Sequence, residues 1–148
     1  MESDLAVQRY AVRIPARPIP PLSVVVCGFR ILALKAALAS VGFERTIGWI
    51  RRRVEDIPMD ASTPIEHVRR LEAVVAMAAA LYPGRARCLE QSLVLYYVLR
   101  RRGVPVTYCQ GVLPHPFSAH AWIEYLGEVV NDVPDHAEQY TRLPDQLP

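Results

Sequence analysis

The chain has 148 residues, of which 51% are hydrophobic and 22% charged, with a formal net charge of +2. That length fits one domain able to bury a core, the composition is globular rather than disordered, and the charge is too small to argue for nucleic acid or a membrane surface as partner. Three cysteines, Cys27, Cys88 and Cys109, are odd in number and widely spaced, with no export signal ahead of them, which excludes a disulfide framework and predicts a reducing, cytoplasmic setting.

Residues 1–21 read as an extended, Pro-rich N-terminal segment, because Pro15, Pro18, Pro20 and Pro21 oppose both helix and central strand. A short strand fits Tyr10 to Ile14. The most apolar run, Leu22 to Phe43, contains Arg30 and Lys35. A membrane span needs about 20 largely uncharged residues, so this run is expected to be a core-facing or partner-facing helix from about Ser23 to Ser40, stopped by Gly42. A second helix, Glu44 to Glu55, places Ile47, Ile50 and Val54 on one face and leaves Arg51, Arg52 and Arg53 to solvent.

Thr63-Pro64-Ile65-Glu66 has the form of a capping box with proline at the first helical position. Val68, Leu71, Val75 and Ala78 continue that helix to the turn at Pro83-Gly84. A fourth helix starts near Cys88 and stops at Gly103-Val104-Pro105. It is apolar nearly all round, which predicts burial, and Arg100, Arg101 and Arg102 in its last turn complement the helix dipole. The period then changes to two. Val106 to Val112 reads as a strand broken by Pro114 and Pro116, with Phe117-Ser118 as loop. Ala119 to Glu124 is a second strand and Glu128 to Val133 a third, before an irregular tail over 134–148. Helices followed by a small antiparallel sheet make a single α+β domain.

Cys88 sits where a turn gives way to a buried helix. Unpaired N–H groups and the positive dipole end there favour thiolate over thiol, and Arg85 and Arg87 push the same way. The plain alternative is a small buried hydrophobe, the reading given to mid-helix Cys27 and mid-strand Cys109. In the strand Ala119 to Glu124, alternation puts His120, Trp122 and Glu124 on one face. A three-residue loop, Tyr125-Leu126-Gly127, would set Glu124 opposite Glu128 and His120 opposite Asp132, within reach of a carboxylate–imidazole hydrogen bond. Such a bond fixes the tautomer and frees the other ring nitrogen to activate a thiol. A one-residue slip would put the pair on opposite faces and leave Asn131 as the alternative orienter. His115 and Phe117 in the proline-bounded loop, and Trp122 beside His120, are candidate substrate-binding residues. His136 reads as a solvated tail residue. A zinc site drawn from Cys88, Cys109, His115, His120 and His136 lacks the close spacing of a structural zinc motif.

The segments Arg87-Cys88-Leu89 through Ser92-Leu93, Leu99 to Pro105, Gly111-Val112, Phe117 to Glu124 and Val130-Asn131-Asp132 resemble the transglutaminase-like peptidases of lasso peptide biosynthesis. The resemblance is specific over about residues 85 to 133 and implies a papain/transglutaminase-like core with the nucleophile at a helix N-terminus. It implies Cys88, His120 and Asp132 as the catalytic triad, with no cofactor or metal. The implied activity is removal of the leader from a ribosomally made precursor peptide, after which a separate lasso cyclase joins the new α-amine to an acidic side chain. It further implies a separate leader-recognition protein, because this length leaves no room for a recognition domain; Phe29, Phe43 and Trp49 on the N-terminal helices are candidates for that contact. Two alternatives remain open: an acyltransferase using the same thioester, and a non-catalytic binding scaffold. The Cys88 backbone N–H is one candidate oxyanion donor, and no side-chain donor is evident.

Overall fold

The computed structural model describes residues 18–82, 87–144 and 147. The strand expected at Tyr10 to Ile14, the turn at Pro83-Gly84 and Arg85 lie outside those residues. Among the described residues there are five helices, α1 (Pro21–Val41), α2 (Phe43–Val54), α3 (Ile65–Leu81), α4 (Cys88–Arg100) and α5 (Pro134–Ala137). Four strands, β1 (Val106–Pro114), β2 (Phe117–Tyr125), β3 (Glu128–Val129) and β4 (Thr141–Arg142), form one antiparallel sheet in the order β3-β2-β1-β4. The α+β expectation stands.

Helix α4 is central because its sequence is apolar on every side. Leu93, Val94, Leu95, Tyr96, Val98 and Leu99 are all buried, between α1–α3 on one side and β1–β2 on the other. Each such side chain contributes roughly 1.5–3 kcal/mol through burial, so Leu93→Ala is expected to cost about 2–5 kcal/mol. Helix α1 is different. By length and composition alone it is long and apolar enough to cross a bilayer. Here it buries only Val24, Cys27 and Ile31 against the core and leaves Leu22, Val25, Phe29 and Leu32 exposed. Helix α3 starts one residue later than its capping box predicted: Pro64 flanks the helix and no side chain caps it. The Thr63 carbonyl instead accepts a hydrogen bond from Tyr125 Oη (2.7 Å).

The β1–β2 ladder runs unbroken from Val106↔Tyr125 to Pro114↔Phe117. Phe117 and Ser118 are therefore strand, not loop, and the turn is only His115-Pro116; proline is tolerated at the strand end because the ladder stops there. The next turn corrects the expected register. Leu126 (φ 50°) and Gly127 (φ 85°) form a two-residue hairpin turn that pairs Tyr125 with Glu128 and Glu124 with Val129. Continued, this ladder would put Asp132 on the wrong face of the sheet. It does not continue. After Val130 N–H reaches the Ile123 carbonyl (2.9 Å), the Asn131 side chain takes the next ladder position by accepting the Ile123 N–H at Oδ1 (2.7 Å). The backbone leaves the sheet there.

Residues 134–144 are not an irregular tail. Pro134 opens α5, and β4 pairs with β1 through Gly111↔Arg142 and Val112↔Thr141. Gly111 is required by close approach: a Cβ there would lie 2.7 Å from Tyr140 Cβ and 3.1 Å from the Trp122 ring.

Candidate active site

The start of α4 is fixed before any chemistry is considered. Arg87 is extended (φ −82°, ψ 172°), and its N–H donates to Glu90 Oε2 (2.9 Å), one half of a capping box. Lys35 of α1 meets the other Glu90 oxygen at 3.6 Å. Cys88 is thereby the first helical residue, half-buried.

Because β3 ends at Val129, the outer edge of β2 is free for α4. Ser92 Oγ donates to the Ala121 carbonyl (2.9 Å) and accepts from Asn131 Nδ2 (2.8 Å). This network ties the helix, the strand edge and the loop before Asp132 together, and its donors and acceptors are satisfied. Asn131 is thus a clamp between the strand edge and α4, and the carboxylate partner of His120 is Asp132. The Cys88 sulfur lies at the same edge, in hydrogen-bond reach of the Ala121 and Leu89 N–H groups and of the His120 ring.

His120 Nε2 contacts Asp132 Oδ2 at 2.6 Å, and the two side chains are 13% and 10% exposed. That leaves Nδ1 as the ring nitrogen for the thiol. Asp132 also accepts the Val133 N–H at Oδ1 (2.8 Å), and His136 Nδ1 at Oδ2 (2.8 Å) and Oδ1 (3.1 Å). The His120 ring stacks on Trp122 (centroids 5.9 Å, 17°), with His136 at its edge (4.8 Å) and Tyr140 alongside (5.2 Å).

The electrostatics follow from these contacts. Burial pushes the Cys88 thiol up, but the His120 hydrogen bond and charge, with the Ala121 and Leu89 N–H groups, outweigh it and hold the thiol below its ordinary value. Burial opposes charge on His120, yet Asp132 and Cys88 raise its pKa to about 9. Burial likewise opposes charge on Asp132, but the two histidines and Val133 N–H keep it below the usual carboxylate value. The arrangement favours thiolate, imidazolium and carboxylate in a row. Among the described residues these groups, not Arg87, shift the thiol: Arg87 is exposed.

Several expectations change here. His136 is not solvated; its side chain is 12% exposed and bound to Asp132. The readable signal was Asp132 and His136 four residues apart, with Pro134 between them to open a helical turn. Trp122 is fully buried, so it backs His120 instead of offering a face to substrate. His115 and Phe117 are exposed at the β1–β2 turn, Phe117 by 79%. Among the described residues, the group able to hold a metal ion is His120, Asp132 and His136, with ligand atoms within 4.8 Å of one another. Cys88, Cys109 and His115 do not join it.

No solved structure matches the chain. Over 51 residues the chain is 35% identical to the microcin J25-processing protein McjB of Escherichia coli; the match covers 34% of this chain and 24% of the length of that relative. The profile of the transglutaminase-like superfamily matches residues 30–145, most of the chain, including the start of α4, the β1–β2 hairpin and the Asp132–His136 segment. The chain therefore belongs to the transglutaminase-like superfamily.

Proposed function

We propose that this protein is a cysteine peptidase that removes the leader from a ribosomally made lasso-peptide precursor in the cytoplasm. The observation that carries the reading is the row Cys88–His120–Asp132, in which a lowered thiol meets a base bound to a carboxylate at 2.6 Å. Similarity to a microcin-processing protein supports the substrate class.

The Cys88 thiolate attacks the scissile carbonyl and the C–N bond breaks. His120 gives its Nδ1 proton to the departing amine of the core, leaving the leader as a thioester on Cys88. Water then attacks the thioester, His120 accepts its proton, and the leader leaves as a carboxylate. Asp132 holds the imidazole in the productive tautomer throughout. The Cys88 N–H, in the first turn of α4 where helix N–H groups lack intrahelical acceptors, is the candidate oxyanion donor.

The exposed Leu22, Val25, Phe29 and Leu32 of α1 support docking of a separate leader-recognition protein. So does the neighbouring cavity of about 480 Å³ between α1, α2 and α4, which Trp49 and Leu34 help to line. Of the expected contact residues, Phe29 and Trp49 are exposed, whereas Phe43 packs against the core. A lasso cyclase takes the freed amine. The test is mass spectrometry of precursor peptide mixed with wild type or Cys88→Ala, with and without a leader-recognition protein. One cut at the leader–core junction, absent in the variant, is expected. An amine-capped leader instead of a free carboxylate would replace hydrolysis by acyl transfer, and no cut with wild type under any condition would contradict the reading.

A further inference from the structure

We propose that His136 is a positioning residue of this site: its Nδ1–H pins the Asp132 carboxylate in the orientation that meets His120. The proposal deepens, and rests on, the reading of Cys88, His120 and Asp132 as the reacting triad.

An ionised carboxylate only accepts hydrogen bonds, so contacts of 2.8 and 3.1 Å from His136 Nδ1 to the two Asp132 oxygens place the proton on Nδ1. The other donors leave the carboxylate under-determined. His120 is the group to be positioned, and Val133 is the adjacent residue, bound to Oδ1 alone (2.8 Å). His136 is the donor that spans both oxygens and so sets the carboxylate plane.

His136 is itself held. It sits on α5 with its side chain 12% exposed. Tyr140 packs against both imidazoles, at 5.2 Å from His120 and 5.3 Å from His136, and its hydroxyl meets Ser118 Oγ at 3.3 Å. Gly111 leaves the space that Tyr140 occupies. The titratable groups facing His120 are therefore Cys88 from α4 and Asp132, His136 and Tyr140 from the segment after β3. A one-turn helix that would otherwise be a surface appendage becomes the back support of the base.

Two variants separate positioning from packing. His136→Phe keeps a ring and loses the donor; His136→Asn keeps a donor near the Nδ1 position and loses the ring. The readout is the His120 imidazole titration by NMR in a Cys88→Ala background, which does not depend on turnover. The midpoint is expected to fall by about one pH unit in His136→Phe, because a mis-set carboxylate supports the imidazolium less well. It is expected to hold in His136→Asn. With Cys88 present, iodoacetamide labelling of Cys88 at neutral pH is expected to slow about ten-fold in His136→Phe only. Removing a donor also makes Asp132 more basic, which by itself would draw the proton of His120 more tightly. A rise of the midpoint in His136→Phe, or no change, therefore overturns the proposal, as does an equal fall in both variants, which would mark His136 as a structural anchor. If the titration behaves as expected while wild type cuts no precursor, the positioning role stands and the peptidase reading fails.

Discussion

Two thiols lie beside the same strand with the same kinds of neighbour, and they differ in chemistry. Cys88 has a cation-forming ring, His120, and beyond it a carboxylate, Asp132. Cys109 has Arg142 (Nη1 to Sγ, 3.9 Å) and Glu124, which Arg142 also binds. In the first cluster the cation stands between sulfur and carboxylate, so each charge is next to its opposite. In the second, the thiol is fully buried and hydrogen-bonds with Glu124, so burial first and Glu124 second raise it to about 11 despite Arg142. Order along the row and burial, not the list of groups, decide which thiol is held low and which is pushed up.

The largest expected effect breaks that comparison directly. Cys88→Ala and His120→Ala should each lower precursor cleavage by about 1,000-fold or more, whereas Cys109→Ala should stay within about two-fold of wild type. A quantitative cleavage assay with folding checked by circular dichroism decides it. Next in size is reactivity: with iodoacetamide near pH 7, Cys88 should label about 100-fold faster than Cys109 or Cys27, whose thiols burial pushes up. Peptide mapping of a labelling time course gives the rates, and equal rates would erase the distinction.

Asp132→Asn should cost less, about 10- to 100-fold in turnover, because the carboxylate orients the base without making or breaking bonds. Its pH signature is sharper. His120 is raised from 6.5 to about 9, so its contribution is full below the unfolded value and is lost as pH rises through about 9. Asp132 is depressed below 3.8, so its contribution is present above that value and lost as pH falls through the lowered one. The alkaline limb of kcat/KM should therefore fall near pH 9 in wild type and move toward neutrality in Asp132→Asn. As coupled groups they titrate together, so the limb belongs to the site and not to one residue.

The smallest effect carries the comparison over to carboxylates. Glu72 of α3 is buried, and burial lifts it to about 7 with only partial relief from Arg69. Asp132 is half-buried, yet its donors keep it ionised. Between the ordinary value of 4.5 and about 7 the native state binds more protons at Glu72 than the unfolded one, so stability declines as pH rises through that range. Glu72→Gln should raise stability at pH 8 by about 2 kcal/mol and change little at pH 5, as thermal melts at the two pH values would show.

Much of this was legible in the chain. Helices α2 and α3 followed their apolar periodicity and α1 and α4 their long apolar runs, and Cys88 at the start of a buried helix with His120 on the second strand needed only period and turn chemistry. What could not be read was how the chain leaves a ladder. Leu126-Gly127 chose a two-residue turn where three residues were expected, and alternation then argued against Asp132. Asn131 overrides that alternation by lending its amide to Ile123 and Ser92, a side chain standing in for backbone at one position. Periodicity carries no record of such a substitution. His136 was missed because the tail around it has too few apolar residues to predict α5, whose packing comes from Tyr140 and the space over Gly111.

The most direct measurement is the identity of the covalent intermediate. Precursor peptide and enzyme are mixed, quenched in acid within the first turnover, and mapped by mass spectrometry. The leader is expected as a thioester on Cys88, absent in His120→Ala. A leader adduct on Cys27 or Cys109, or undiminished cleavage by Cys88→Ala, would contradict the account.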